Sequence, residues 1–219
     1  MVELPPWSHT MLQDLSNCLW KGYRKYVAKD LPKEKKSPEQ ELGIRVHQAF
    51  ETAINKRDVS SLPEAYRHLA EPMVAMNARA EVKYGVSRDG EPAEFFGRPW
   101  GRGVLDVIMV NSGTAPATAA ILFDWKTGKV REDSRELMAQ SYLLQVNYPS
   151  IKTVKGAYVW LVENRLGEMH DLTNTDRWLA GTRATLAKAQ EALDSGVWPK
   201  SPNPLCGWCP CKDCEHNRS

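Results

Sequence analysis

Apolar residues recur at helical spacing in several parts of the chain. Over residues 8–28, Met11, Leu15 and Leu19 stand four apart and follow Ser8 or Thr10 as a cap, which predicts a helix that contains Cys18. The same reasoning predicts four more helices, over residues 39–56, 61–80, 133–148 and 174–195. A charged loop with two prolines, residues 29–40, connects the first helix to the second.

β-branched and aromatic residues form shorter runs between these helices. Three consecutive runs, AEVKYGVS, WGRGVLDVIMV and TAAILFDWKTG, are separated by Gly, Asp and Pro and predict an antiparallel run of strands. TVKGAYVWLVE predicts a further strand and GEMHDL a short one. The order of elements indicates a mixed α/β fold, with a central sheet flanked by helices.

Length and composition limit the possible classes of protein. The chain has 219 residues, of which 42% are hydrophobic and 26% charged, so we expect one globular domain over residues 1–219. A net charge of +2 restricts any nucleic-acid surface to a local patch. There is no apolar run near the roughly 20 residues of a membrane span, no secretory signal and no Walker phosphate loop. We therefore expect a cytosolic protein with no membrane partner and no helicase motor.

Two acids occupy strand positions where carboxylates are disfavoured. Asp106 follows Val104-Leu105, and Asp124 follows Leu122-Phe123. Neighbouring strands can bring both carboxylates to one point, and Mg²⁺ prefers one or two carboxylates with water and phosphate oxygens. Lys126 shares a strand face with Asp124, where it can stabilise charge on a phosphate. The alternative is a solvated strand end with a surface ion pair.

Two further residues are ambiguous when taken alone. His47 and Glu51 lie four apart on one face of the second helix, and an imidazole there is a competent Mn²⁺ ligand or a structural histidine. Glu81 opens the strand EVKYGV and is equally compatible with a surface position.

Together these residues resemble the PD-(D/E)XK nuclease superfamily. The matching elements are Gly43-x-x-x-His47-x-x-x-Glu51, then Glu81, then GVLD ending at Asp106, then DWKTGK with Asp124 and Lys126. The resemblance runs from about Ser8 to Cys214 and is to the RecB-like branch, which includes small nucleases of phages and of CRISPR adaptation. It implies a restriction-endonuclease-like core.

The resemblance also implies roles for individual residues. Mg²⁺ or Mn²⁺ would be bound by His47, Asp106, Asp124 and the main-chain carbonyl of Trp125, with Lys126 as the catalytic lysine. A Gln-x-x-x-Tyr motif that positions DNA is expected on the helix after Lys126, but the chain departs from it. Its candidates there are Glu136, Gln140 and Tyr142, with Leu144 where the aromatic residue belongs; Tyr142 and Leu144 are equally compatible with core positions.

Basic and aromatic side chains elsewhere are candidates for contacts with DNA. They lie on the first helix and just before Asp106: Lys21, Tyr23, Arg24, Lys25, Arg98, Trp100 and Arg102. Among these we single out Tyr23 and Arg102. Phosphate contacts and base stacking would give sequence-tolerant binding.

Four of the five cysteines fall within nine residues, CGWCPCKDC. In a reducing compartment such spacing indicates metal binding before disulfides. The resemblance implies a [4Fe–4S] cluster held by Cys18, Cys206, Cys209 and Cys214, with Cys211 to spare. The rival is a Zn²⁺ site made by the four C-terminal cysteines. In either case the tail, residues 198–219, would be stapled to the helix over residues 8–28.

The function expected from the resemblance is metal-dependent hydrolysis of DNA. An exonuclease or end-processing enzyme of recombination, repair or replication, acting on single strands or duplex ends, is the family expectation. Two alternatives remain from the sequence: a non-catalytic DNA-binding or scaffold subunit with the same fold, and a zinc-ribbon binding protein whose acids are incidental.

Overall fold

The structure is a computed structural model that describes residues 3–32, 37–111, 116–131 and 133–218. Its α-helices are α1 His9–Asn17, α2 Leu19–Gly22, α3 Pro38–Lys56, α4 Glu64–Ala75, α5 Arg135–Asn147 and α6 Asp176–Ser195. A π-helical segment, Tyr23–Ala28, follows α2, and two 3-10 helices span Val59–Ser61 and Pro204–Trp208. Part of the predicted charged loop, residues 33–36, lies outside the described residues.

Two predicted helices have different bounds in the structure. The helix predicted over residues 8–28 is interrupted at Cys18, whose backbone is extended with φ −164° and ψ 115°. The helix predicted over residues 61–80 ends at Ala75, and Arg79 already begins a strand. The other three helices form within two residues of the predicted ends, and α3 begins with a capping box between Ser37 and Gln40.

One mixed sheet contains all the described strands: β1 Arg79–Val86, β2 Pro92–Ala93, β3 Gly101–Val110, β4 Ala119–Lys126, β5 Thr153–Trp160, β6 Arg165–Leu166 and β7 His170–Asp171. The strand order is β2-β1-β3-β4-β5-β6, and β7 also pairs with β5. β1, β3 and β4 are antiparallel as predicted, whereas β4 and β5 are parallel. A parallel pair needs a crossover connection, and α5 provides it. The predicted mixed sheet flanked by helices is confirmed.

Each face of the sheet is covered by its own hydrophobic core. The core on one face, here called the α5 core, contains Leu137, Leu143 and Leu144 of α5 together with residues of α1 and α6. The core on the other face, the α3 core, contains Phe50 and Ile54 of α3 with residues of α4. Because both faces are covered, the side chains of Asp106 and Asp124 on the central strands are largely removed from water.

No helix within the described ranges is long and apolar enough to cross a membrane.

Candidate active site

β1 changes the faces of its side chains at Glu81. Ala80 packs in the α3 core, yet Val82 and Tyr84, which have the same parity along the strand, pack in or against the α5 core. A regular strand keeps residues i and i+2 on one face. The inversion is made by Glu81, whose φ of +56° is left-handed. Such a backbone is uncommon for a residue other than glycine, and within a strand it persists only where the surrounding structure imposes it.

β3 also changes the faces of its side chains, at Asp106, which lies opposite Glu81. Leu105 packs in the α5 core and Val107 in the α3 core, so the alternation breaks at Asp106. Val82 pairs with Leu105, and the residue two earlier on β1 pairs with Val107, which leaves Glu81 and Asp106 facing each other. Like charges directly opposite each other destabilise a sheet. This strained carboxylate pair therefore indicates a position suited to a cation.

His47 of α3 completes a group of three potential metal ligands. One ligand atom each from His47, Glu81 and Asp106 lies within 4.8 Å of the other two. Ligands at about 2.1 Å around an octahedral Mg²⁺ lie at most about 4.2 Å apart, so small movements would close this group on an ion. Two carboxylates and an imidazole suit Mn²⁺ or Mg²⁺. The residues present therefore fit a divalent cation.

Helix α3 is held in place by a close approach to the turn after β4. A Cβ atom on Gly43 would come within 2.9 Å of Thr127 Oγ1, so a larger residue would require either the Thr127 side chain or α3 to shift. One turn later, His47 Nδ1 lies 3.6 Å from Asp106 Oδ2. The backbone of Trp125 is close enough to act on the pKa of His47, which it raises against the larger effect of burial. The binding of a cation by the Trp125 carbonyl stays a prediction.

Asp124 and Lys126 point towards α5 and form a second, adjoining group. Lys126 Nζ lies 2.5 Å from Asp124 Oδ2 and 2.7 Å from Glu136 Oε2. Gln140 Nε2 donates to Asp124 Oδ1 at 2.7 Å. Asp124 Oδ2 is in ion-pair contact with Lys126, and a carboxylate oxygen with one such partner keeps a lone pair for a cation. Asp124 itself lies outside the three-ligand group.

The two groups meet where the pairing of β3 and β4 ends. The ladder stops at Val107 and Phe123, and Asp106 and Asp124 are the next residues beyond it. Asp106 Oδ2 accepts the backbone N–H of Trp125 at 3.0 Å in place of a ladder partner. The opening between the strands thus brings both predicted acids to one end of the ladder.

The site contains several acidic side chains with little exposure to water, and this burial shifts their pKa values. Burial, and then the charge of Asp124, raises the pKa of Asp106 well above its usual range, and burial raises the pKa of Asp124. Burial also lowers the pKa of His47, which favours the neutral imidazole that binds metals. Burial acts to lower the pKa of Lys126, but Asp124 and Glu136 outweigh it and raise that pKa above its usual value. Lys126 is therefore a cation at neutral pH.

The structure places three predicted DNA contacts away from these groups. Tyr142 is buried in the α5 core against Trp7 and Trp178. Arg102 lies over the ring of Phe95 and donates to its carbonyl oxygen. Tyr23 stacks on Trp198. Among the described residues, Glu136 and Gln140 are the predicted contacts that do touch Lys126 and Asp124.

The five cysteines line one cavity of about 170 Å³ between the first helix and the tail. Backbone N–H groups donate to two of their sulfurs, from Ser201 to Cys18 at 3.5 Å and from Asn203 to Cys206 at 3.4 Å. Burial, with Cys209 beside it, raises the pKa of the Cys211 thiol to about 12. The tail is also fixed by Arg24, whose guanidinium binds both oxygens of Asp213 at 2.9 and 2.8 Å.

Comparison with known proteins decides the family. The sequence model of the PD-(D/E)XK nuclease superfamily matches residues 7–214, which is almost the whole chain. The chain belongs to the PD-(D/E)XK nuclease superfamily. No curated protein sequence matches it significantly.

Solved structures add only a remote likeness. Thirteen solved chains match, among them one described as "Crystal structure of SSO0001". That structure shares 15% sequence identity and a TM-score of 0.48, and the match covers 95% of this chain and 86% of the other. A likeness at this level does not bear on the chemistry.

Membership of the superfamily assigns a class of activity to the site. PD-(D/E)XK proteins are nucleases that act on DNA with divalent metals such as Mg²⁺ or Mn²⁺, so the chain is assigned to the metal-dependent nucleases, and the sheet is consistent with their restriction-endonuclease-like core. The sequence alone assigns no role to Glu81, and the structure adds it to the candidate metal group. The antiparallel register of β1 and β3, which sets Glu81 against Asp106, is the signal that identifies it.

Proposed function

We propose that this PD-(D/E)XK protein is a deoxyribonuclease that degrades or processes DNA ends, as an exonuclease of the RecB-like type. The observation that supports it most is the convergence of His47, Glu81 and Asp106 beside the Asp124–Lys126 pair. The reducing cytosol is the proposed location. Roles in recombination, repair or replication follow from the resemblance to the RecB-like branch.

Each side chain has a distinct role in the proposed chemistry. His47, Glu81, Asp106 and Asp124 would hold the cation, which when bound polarises the phosphate and acidifies water. Lys126, kept protonated by Asp124 and Glu136, stabilises negative charge at the scissile phosphate and does not act as a base. Gln140 orients the Asp124 carboxylate through Oδ1 and leaves Oδ2 for the cation and Lys126.

Cleavage of labelled DNA with Mg²⁺ or Mn²⁺ tests the site. We expect the parent protein to cut linear DNA, EDTA to abolish the cutting, and Asp124→Ala and Lys126→Ala each to reduce it by about 100-fold or more. Lys188→Ala, which removes an exposed lysine of α6 outside the ion pairs of Lys126, is a matched control that should keep most activity. If Asp124→Ala and Lys126→Ala cut as well as the parent, the site is misassigned.

The proposed end specificity has its own test. Linear single strands and linear duplexes are compared with closed circles of the same sequence. An exonuclease leaves circles intact and releases mononucleotides or short oligonucleotides from linear DNA, whereas cleavage of circles at the same rate indicates an endonuclease. A scaffold subunit that keeps the fold would bind these substrates and cut none of them.

We also propose a [4Fe–4S] cluster held by Cys18, Cys206, Cys209 and Cys214. All five cysteines line one cavity between the first helix and the tail, so Cys18 lies beside the C-terminal cysteines, as this set of ligands requires. The N–H donors to the Cys18 and Cys206 sulfurs support it too, because such bonds are common around iron–sulfur clusters.

Metal analysis after anaerobic purification tests the cluster. We expect brown protein with about four irons and four sulfides per chain, lost in Cys206→Ser and retained in the control Cys211→Ser. Colourless protein that holds stoichiometric zinc and no iron would establish the zinc alternative and leave the nuclease proposal intact.

A further inference from the structure

The first helical segment carries a polar stripe at intervals of four residues. Its members are His9, Gln13, Asn17, Lys21 and Lys25, and in a helix such spacing places side chains on one side. The stripe continues across the break at Cys18, because its residues line successive cavities along the same side of the molecule. It therefore forms one wall of an extended groove.

This groove begins at the candidate active site. A cavity of about 450 Å³ contains Lys126 and Glu136 and shares Asn17 and Leu205 with the cavity at the cysteines. The cysteine cavity in turn shares residues with a third cavity, of about 410 Å³. The three cavities adjoin one another along the first helix, from the catalytic lysine to Trp208. The proposed cluster would fill the interior of the middle cavity, so a strand would pass across its mouth.

The opposite wall is the C-terminal tail, which presents two exposed apolar side chains. Leu205 and Trp208 are 53% and 81% exposed, and Trp208 lines both the second and the third cavity. The tail that carries them is held firmly: Trp20 N–H donates to Pro199 O at 3.1 Å. A large aromatic ring exposed to water is a surface on which a base can stack.

Cations accompany the groove at both ends. Lys129, Arg131 and Arg135 line the cavity at Lys126, and three lysines line the cavity at Trp208: Lys21, Lys25 and Lys29. Lys21 and Lys25 share one carboxylate, that of Asp14, so they keep a net positive charge. Cations that follow a path beside an exposed aromatic ring are the features that bind single-stranded nucleic acid.

Direct contacts join the two walls of the groove. Asn203 Nδ2 donates to Asn17 O at 3.2 Å and Ser201 N–H donates to Cys18 Sγ. The tail is therefore fixed beside the first helix.

We propose that this groove binds the single strand that leads to the scissile phosphate, with one base stacked on Trp208. The inference rests on the proposed nuclease function and specifies its substrate: DNA that is single-stranded at the enzyme, several nucleotides beyond the cleavage point.

Binding measured without cleavage tests this. Fluorescence anisotropy in EDTA compares labelled oligo-dT of about 4 and about 16 nucleotides, the usual range of site sizes for single-strand grooves. Trp208→Ala should weaken binding of the longer oligonucleotide about tenfold and leave the shorter one unchanged, while Trp208→Phe restores most of the loss. Phe96→Ala, which removes another ring that is 80% exposed, is the matched control.

A second variant distinguishes loss of stacking from loss of the tail structure in Trp208→Ala. Lys29→Glu reverses one charge at the far end of the groove. It should weaken the binding of the longer oligonucleotide and reduce the dependence of that binding on salt. If both variants bind the longer oligonucleotide as the parent does, or if duplex binds as tightly as single strand, the proposal is wrong.

The outcomes separate this inference from the nuclease proposal. If cleavage depends on Asp124 but binding is unchanged in Trp208→Ala, only the groove proposal is wrong. Binding that depends on Trp208, in a protein that cuts no DNA with any divalent metal, would overturn the nuclease activity and keep the groove.

Discussion

Gln140 is predicted to act on the site through its hydrogen bond to Asp124. Its amide donates to Asp124 Oδ1 inside the α5 core. We predict that Gln140→Ala lowers kcat about 10- to 100-fold, as loss of a group that orients a metal ligand does, with little change in KM for DNA. Steady-state kinetics check this against Gln145→Ala, which removes an amide of the same helix that donates to Thr173 O instead. Equal kcat values for the two variants would contradict the role of Gln140.

Asp106 is predicted to lower the stability of the fold when no metal is bound. Burial raises its folded pKa, so ionised Asp106 destabilises the metal-free fold, fully at pH values above the folded pKa and not at all below the unfolded value of about 3.9. We predict that Asp106→Asn, which keeps an acceptor for Trp125 N–H, raises Tm in EDTA at pH 8 and has no such effect near pH 3. Added Mn²⁺ should raise the Tm of the parent and not that of Asp106→Asn. Thermal melts that show a lower Tm for the variant in EDTA would contradict this.

At the scale of elements, the first helical segment is organised around one buried acid. Asp14 binds Lys21 Nζ at 2.6 Å and both Lys25 Nζ and Tyr26 Oη at 2.7 Å. Burial alone would raise the pKa of Asp14, but these hydrogen bonds outweigh it and leave that pKa below its usual value. The carboxylate thus connects α1 to the π-helical segment across the break at Cys18.

This arrangement predicts a pH-dependent stability. A depressed carboxyl pKa contributes stability above the unfolded value of about 3.9, which is lost as the pH falls towards the folded value. Asp14→Asn should therefore lower the free energy of unfolding by about 1–3 kcal/mol at pH 7, and the difference from the parent should shrink below pH 4. Denaturant unfolding at both pH values measures it. A difference that grew on acidification would show that Asp14 does not act as a buried anion.

At the scale of the whole molecule, one sheet joins the α5 core and the α3 core, so we expect the two to unfold together. Phe50 is fully buried in the α3 core, with its ring 4.3 Å from that of Trp125. Phe50→Ala should lower the free energy of unfolding by about 3–5 kcal/mol in a single transition. The exposed Phe96→Ala should change it by less than about 0.5 kcal/mol. Two separate transitions for Phe50→Ala would indicate that the cores are independent.

The sequence by itself determines the elements and the reactive residues. Helical spacing identifies α3, α5 and α6, and β-branched runs identify β1, β3, β4 and β5, because these patterns depend on which side chains must avoid water. The superfamily is indicated by the ordered co-occurrence of the histidine of α3, Glu81, Asp106 and DWKTGK, and none of these elements is sufficient alone. The short strands β2 and β6 escape prediction, because two-residue strands have no period to detect.

Only the tertiary structure decided how those residues meet. The period of two predicts one continuous face for each strand, whereas Glu81 and Asp106 invert β1 and β3 at the same level of the sheet. The break at Cys18 likewise interrupts a good helical pattern where the tail contacts it. In both places long-range contacts override local preference, because a strained backbone persists when the surrounding packing determines it.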